Sequence, residues 1–295
     1  MLKTIILQKR PNLSKTSINT YNSTLTNLYK HIYGKPEEDN YDISKFDDTN
    51  KILDFLKDKP VNKRKSILSA LVVLCDKKEY RDQMLDDIKA YNEETAKQQK
   101  TEAQKSSWVT NKEIKEKFDE VRKNAMLKMR MKNITMNDIQ DIQDYVILSL
   151  MSGIYIPPRR LKDFVDFKHR NSEKEEPYNY REGQKLHFKS YKTAKTYGEQ
   201  IVHIPPVLVR LLRRWSEFNN SDWLFIDNKG NQLTNVKLNQ RINKIFGKKV
   251  SCNAFRHTYL TEKYSNLINQ KNNLKEDFKM MGSSIAQELV YIKED

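Results

Sequence analysis

Four short segments of the sequence contain arginine, lysine and tyrosine residues of the types that can cleave and re-form a phosphodiester bond. The segments are SGIYIPPRRLKDF (152–164), KTAKTYG (192–198), NAFRHTYLTE (253–262) and MGSSIAQELVYIK (281–293). Guanidinium groups are permanently charged and bind phosphate oxygens in a fork, so they suit the negative charge of a phosphoryl transition state. A tyrosine hydroxyl that attacks phosphorus stores the bond energy as an ester, which allows the break to be resealed.

The third of these segments resembles the second-arginine motif of the tyrosine recombinase (phage integrase) family, in which Arg-His-Thr follows a short apolar lead. Arg256, His257 and Thr258 match this motif. The resemblance implies a catalytic role for Arg256. Successive helical residues are about 100 degrees apart, so His257 is expected to point away from Arg256. We therefore expect His257 to contact DNA without acting as a catalytic histidine.

The segment with two adjacent arginines is similar to the family's first-arginine box. In that box a glycine-containing turn leads to an arginine, with an acidic residue three places later and an apolar residue after it. Arg160 has this offset through Asp163 and Phe164. Arg159 lacks it, because Lys162 stands three places later. The resemblance implies that Arg160 is the first catalytic arginine and that Arg159 is a neighbouring phosphate contact.

Residues 186–204 resemble the β-hairpin on which the family carries a catalytic lysine at the start of the turn. The stretch LHFKSY alternates like a strand, and the polar stretch KTAKTYG separates it from a second apolar run. Lys192 matches best. Lys195 in the same turn is the alternative and otherwise a DNA contact, and Lys189 on the strand is the third choice. Such a lysine gives a proton to the leaving 5′ oxygen.

The last segment resembles the family motif in which a glycine precedes the nucleophilic tyrosine by about two and a half helical turns. Tyr291 takes the position of the nucleophile. Two residues depart from the family pattern: Asn253 stands where a histidine is usual, and Ser283 stands where histidine or tryptophan is usual. Asn and Ser can hydrogen-bond a phosphate oxygen, but neither is a general acid or base near neutral pH. Phosphate binding is therefore expected to be intact, and the group that transfers the proton is open.

Together the four motifs imply a site-specific recombinase or integrase that cuts and rejoins duplex DNA through a 3′-phosphotyrosine intermediate. The family resemblance also implies a homo-tetramer acting on two DNA sites. Since the arginines replace a metal clamp and no carboxylate cluster could hold two metals, we expect neither a metal ion nor a cofactor. Two alternatives stay open: a type IB topoisomerase-like enzyme that works as a monomer on one duplex, and a catalytically silent DNA-binding protein.

The composition favours a polyanionic partner. The 295 residues include 54 Lys and Arg against 39 Asp and Glu, a net charge of +15, and these basic residues are spread along almost every element. This spread favours nucleic acid over a membrane surface. No apolar run approaches the roughly 18 to 20 residues that span a bilayer, and two distant cysteines suit neither a disulfide framework nor a zinc site. We expect a soluble intracellular protein, in cytoplasm or nucleus. Abundant Lys, Asn and Ile, typical of an AT-rich genome, suggest a virus or mobile element.

Hydrophobic periodicity predicts four helices in an amino-terminal domain over residues 1–104. Ser14 is the expected cap of the first of them, and Gly34 is the expected stop. Large apolar residues vanish over 92–107, which predicts a linker there.

A catalytic domain is expected over residues 108–295. Thr110 and Glu113 predict a capping box, and a helix is expected from about 137 to 151. Phe164, Val165 and Phe167 indicate a short strand, in addition to the hairpin. The predicted fold class is mostly α with a small β component. It joins a four-helix domain like the family's core-binding domain to a mixed α/β domain like the tyrosine recombinase catalytic domain.

Overall fold

The computed structural model describes residues 2–37, 40–170 and 177–282. The chain is mostly helical with a small four-stranded sheet, so the coarse fold class predicted from the sequence is confirmed. It divides into two compact units, residues 1–99 and 100–295. No helix within the described ranges is long and apolar enough to cross a bilayer.

Five α-helices and one 3-10 turn make up the described part of the first unit. The helices are α1 (Leu2–Lys9), α2 (Lys15–Tyr33), α3 (Thr49–Leu56), α4 (Val61–Cys75) and α5 (Lys78–Ala96), and the 3-10 turn spans Ile43–Asp47. The four predicted helices correspond to α2–α5, and α1 is a further helix that the four-helix prediction lacks. Leu2 and Ile6 of α1 are four residues apart and buried in the core of this unit, so packing stabilises a helix too short to form alone.

The start and stop of α2 follow the predicted signals. The Ser14 side chain accepts a hydrogen bond from the Ser17 amide, which satisfies a free N–H at the start of the helix. At the other end Gly34 has φ +85, a conformation that suits a residue without a side chain.

The helices of the second unit carry most of its core. They are α6 (Glu102–Ser107), α7 (Asn111–Lys128), α8 (Met136–Met151), α9 (Leu161–Val165), α10 (Ala194–Tyr197), α11 (Pro206–Phe218), α12 (Asn235–Phe246) and α13 (Cys252–Met280). Helix α8 is buried along most of its length and packs against α7 and α11. The predicted capping box at the start of α7 is confirmed, because Thr110 and Glu113 each bond the other's backbone amide.

Four short strands form one sheet in the order β1-β2-β3-β4. They are β1 (Phe167–Lys168), β2 (Asn179–Glu182), β3 (Lys185–Phe188) and β4 (Gln200–His203). Strands β1 and β2 are parallel, and the other pairs are antiparallel. The predicted hairpin is confirmed as the pair β3–β4, and the short helix α10 lies in its connection.

The strand predicted from Phe164, Val165 and Phe167 is confirmed only at Phe167, which lies in β1; the prediction is wrong for Phe164 and Val165, which belong to α9. A short apolar run has no periodicity that distinguishes a strand from one buried helical turn. Here the helical turn begins where the Asp163 amide donates to the Arg160 carbonyl.

Candidate active site

The turn that leads into α9 and the first residue of α13 meet at a buried thiol. The Cys252 Sγ donates to the backbone carbonyl of Arg159 over 2.8 Å, and Cys252 is only 4% exposed. Burial raises the pKa of this thiol to about 12, while the Arg256 guanidinium and, more weakly, that of Arg160 act in the opposite direction. The bond places the residue before Arg160 against the start of α13, where Arg256 lies one turn after Cys252 on the same face of the helix.

Both guanidiniums retain donors for a ligand. Arg160 immediately precedes α9, is partly exposed, and has no hydrogen bond or ion pair to any other side chain in the described ranges. Arg256, also partly exposed, has one weak side-chain contact there, from Nη1 to Asn253 Oδ1 over 3.4 Å. Two guanidiniums with unused N–H groups, carried on segments that meet, suit the non-bridging oxygens of one phosphate.

Asn253 lies one helical turn before Arg256 on α13 and is exposed. Its amide oxygen accepts this weak bond from Arg256, which leaves the guanidinium charged and most of its donors unused. The sequence expectation was a phosphate contact from this residue, and its exposed amide leaves a donor for one.

Arg159 is held inside the protein. Its Nε lies 3.0 Å from Asp163 Oδ2, and its Nη1 donates to Gln200 Oε1 over 2.9 Å. The guanidinium carbon lies 3.9 Å from the ring centre of Phe188 and 5.3 Å from that of Tyr191. Asp163, whose spacing singled out Arg160 in the sequence, therefore forms its ion pair with Arg159 and not with Arg160. The role of Arg159 as a phosphate contact stays a prediction.

Two lysines of the connection between β3 and β4 are exposed, whereas the residues at its two ends are held by hydrogen bonds. Lys192 and Lys195 are exposed, and neither has a partner among the described residues. Below them, the hydroxyl of the buried Tyr191 donates to the Gly198 carbonyl over 2.7 Å and closes the connection. Lys189, the third choice, has its ammonium 5.3 Å from the centre of the Tyr180 ring and is already engaged.

A buried asparagine that no motif marks ties this hairpin to α9. The Asn179 amide group donates to the carbonyls of Asp163 and Ser190 at 2.6 and 2.9 Å. Its carbonyl oxygen accepts from the amides of Lys189 and Ser190, both at 2.8 Å. The one signal in the sequence is an asparagine within a strand, which strand propensity disfavours.

The other members of the Arg-His-Thr motif contact the segment that leads into α7. The His257 ring stacks on Trp108 with 6.2 Å between ring centres, and the Thr258 hydroxyl donates to the Val109 carbonyl. The Lys100 ammonium lies 3.7 Å from the centre of the same indole ring. His257 is exposed, so a contact with DNA stays a prediction.

Tyr291 and Ser283 lie outside the described residues. The structure thus places Arg160 and Arg256 on two segments that meet at Cys252, with Asn253 one turn before Arg256, and it ties the hairpin of Lys192 to the start of α9 through Arg159 and Asn179. In the described ranges, no group of three or more His, Cys, Asp or Glu side chains is arranged to hold a metal ion.

Comparison with models of protein families finds none that matches the chain, and comparison with curated proteins finds no significant match.

Proposed function

We propose that this chain is a DNA strand transferase of the tyrosine recombinase kind, cutting and rejoining duplex DNA without a metal ion or cofactor. The observation that carries the proposal is the contact at Cys252, which joins the turn of Arg160 to the start of α13, where Arg256 lies; both guanidiniums have unused donors in the described ranges. The net charge of +15 supports a nucleic-acid partner. The assembly we propose is a homo-tetramer on two DNA sites.

In this proposal the two arginines hold the non-bridging oxygens of the scissile phosphate. Tyr291 gives its phenolic proton to water and attacks phosphorus, the new bond is a 3′-phosphotyrosine ester, and the bond to the 5′ oxygen breaks. Charge builds on the non-bridging oxygens during attack, and fixed guanidiniums stabilise it more in the transition state than in the bound substrate. Asn253 accepts a weak bond from one of these guanidiniums.

The proton for the leaving 5′ oxygen comes from Lys192 in this scheme. Its ammonium is exposed in the free protein, so bound DNA must cover it before it becomes a good proton donor. The proposal therefore requires the hairpin connection to lie against the DNA backbone during cleavage. Ser283 is assigned a phosphate contact.

The test is a search for protein–DNA adducts that survive SDS, formed in EDTA on a library of nicked duplexes that trap cleavage. The wild type is compared with Tyr291→Phe and with Tyr264→Phe, which changes an exposed tyrosine of α13 and serves as the matched control. We expect adducts from the wild type and from Tyr264→Phe, and none from Tyr291→Phe. Adducts that persist in Tyr291→Phe would exclude this nucleophile, and cleavage that requires Mg²⁺ would indicate a nuclease.

A catalytically silent DNA-binding protein is the second candidate, favoured by Asn253, which supplies no acid or base where the family has a histidine. Binding without adducts from any variant would support it. Relaxation of plasmids of any sequence at low stoichiometry would instead support a topoisomerase-like monomer.

A further inference from the structure

Two adjacent arginines have opposite environments at the start of α9. Arg160 is partly exposed and free of side-chain partners in the described ranges, whereas the Arg159 side chain is 15% exposed and forms an ion pair with Asp163, itself 2% exposed. An arginine with its donors committed to the interior is poorly placed to receive a phosphate. The contacts that Arg159 makes inside the protein are therefore the guide to its role.

The partners of Arg159 belong to both ends of the connection that carries the lysines. Phe188 and Tyr191, which lie under its guanidinium, stand at the entry to that connection, and Gln200, which accepts from Nη1, stands at its exit. One planar group thus contacts both ends of an eleven-residue connection, from 189 to 199.

The ion pair between Arg159 and Asp163 is almost fully buried. Burial lowers the pKa of Arg159 and raises the pKa of Asp163, against the attraction between the two charges. Buried pairs of this kind are retained in some proteins for the geometry that they fix.

We infer that Arg159 is a positioning residue: it fixes the hairpin connection that carries Lys192 relative to the turn that carries Arg160. This inference rests on the proposed function for its catalytic consequence. Independently of that function, the inference states that the hydrogen bond from Arg159 to Gln200 orders the connection between β3 and β4.

The sharpest perturbation is Gln200→Ala, which removes the acceptor on the hairpin and leaves the ion pair with Asp163 intact. Gln184→Ala is the matched control, because Gln184 is an exposed residue of the preceding turn on the same sheet. Amide hydrogen exchange of residues 189–199 is measured in the free protein. We expect faster exchange in Gln200→Ala and unchanged exchange in the control; equal exchange in both would overturn the inference.

A second measurement separates positioning from phosphate contact. The double variant Arg159→Gln, Asp163→Asn removes both charges together, so no lone charge is left buried. A lost phosphate contact would lower the slope of log binding constant against log salt by about 0.9. Positioning predicts an unchanged slope for this variant, and a fall by about one would overturn the inference.

A third measurement tests the catalytic consequence. If wild type forms the covalent adduct, Gln200→Ala should slow adduct formation by roughly ten- to a hundredfold at saturating DNA while binding is unchanged, since misplaced groups cost rate without costing affinity. An unchanged rate would overturn that consequence. If wild type forms no adduct, the proposed function fails, and the exchange measurement still decides whether Arg159 orders the connection.

Discussion

The stability of the second unit should depend on pH through His169, which follows β1. Its Nε2 lies 2.7 Å from the Ser221 carbonyl, and its Nδ1 lies 3.2 Å from the Ser216 hydroxyl. Burial lowers the pKa of His169 to about 4, with a smaller contribution from the positive charge of Arg170. The buried site therefore favours the neutral imidazole over the imidazolium.

The sign and size of the effect follow from the two pKa values. An unfolded histidine has a pKa near 6.5, so between pH 6.5 and 4 His169 is protonated in the unfolded chain and neutral in the folded protein. The contribution of His169 is therefore fully present above pH 6.5 and is lost as the pH falls towards 4. A shift of roughly two units or more corresponds to about 3 kcal/mol.

The perturbation is His169→Gln, which keeps a donor for the Ser221 carbonyl and removes the titration. We expect a cost of about 1 kcal/mol at pH 7 and a relative gain of about 3 kcal/mol for the variant on going to pH 4. The assay is urea unfolding followed by tryptophan fluorescence, because all three tryptophans lie in the second unit. If the difference between wild type and variant is the same at pH 4 and pH 7, the reasoning is refuted.

Three further predictions concern the packing around the arginines. Cys252→Ala, which deletes the donor to the Arg159 carbonyl, should lower the free energy of unfolding by about 1–3 kcal/mol, whereas Cys252→Ser should recover part of that loss; equal losses would exclude the hydrogen bond. Gly153→Ala should cost more than 1 kcal/mol in the same unfolding assay, because φ is +95 and the new methyl would lie 3.0 Å from the Tyr259 ring; a neutral result would contradict this close approach. Asn179→Ala should cost about 3 kcal/mol or more and raise amide exchange at the base of the hairpin, since the buried Asn179 side chain makes four hydrogen bonds, all of which are lost; a loss below about 1 kcal/mol would show that water replaces the amide.

Local signals in the sequence predicted the elements that depend on local physics. The cap at Ser14, the stop at Gly34 and the box at Thr110 each involve atoms within a few residues, so periodicity and residue type were enough. The pairing of β3 with β4 was predictable for the same reason, because alternation and a polar turn specify a hairpin.

The direction of a side chain at the start of α9 depends on distant residues and could not be predicted. The spacing rule joined Asp163 to Arg160, but packing against Phe188 and the bond to Gln200 turn Arg159 inward to meet that carboxylate. These partners are 29 and 41 residues away along the chain. The role of Asn179 could not be predicted for a similar reason, since its side chain bonds backbone groups of Asp163 and Ser190, which lie on two other segments.

The buried Cys252 thiol between α9 and α13 can also report on the opening of this site through its rate of alkylation. Alkylating reagents attack the thiolate, and Cys252, with a pKa of about 12 and almost no exposure, offers very little of it. Cys75, in the first unit, is also protected by burial, with a pKa of about 11. The rate of alkylation at Cys252 therefore measures how often the segments that carry Arg160 and Arg256 separate, without an engineered label.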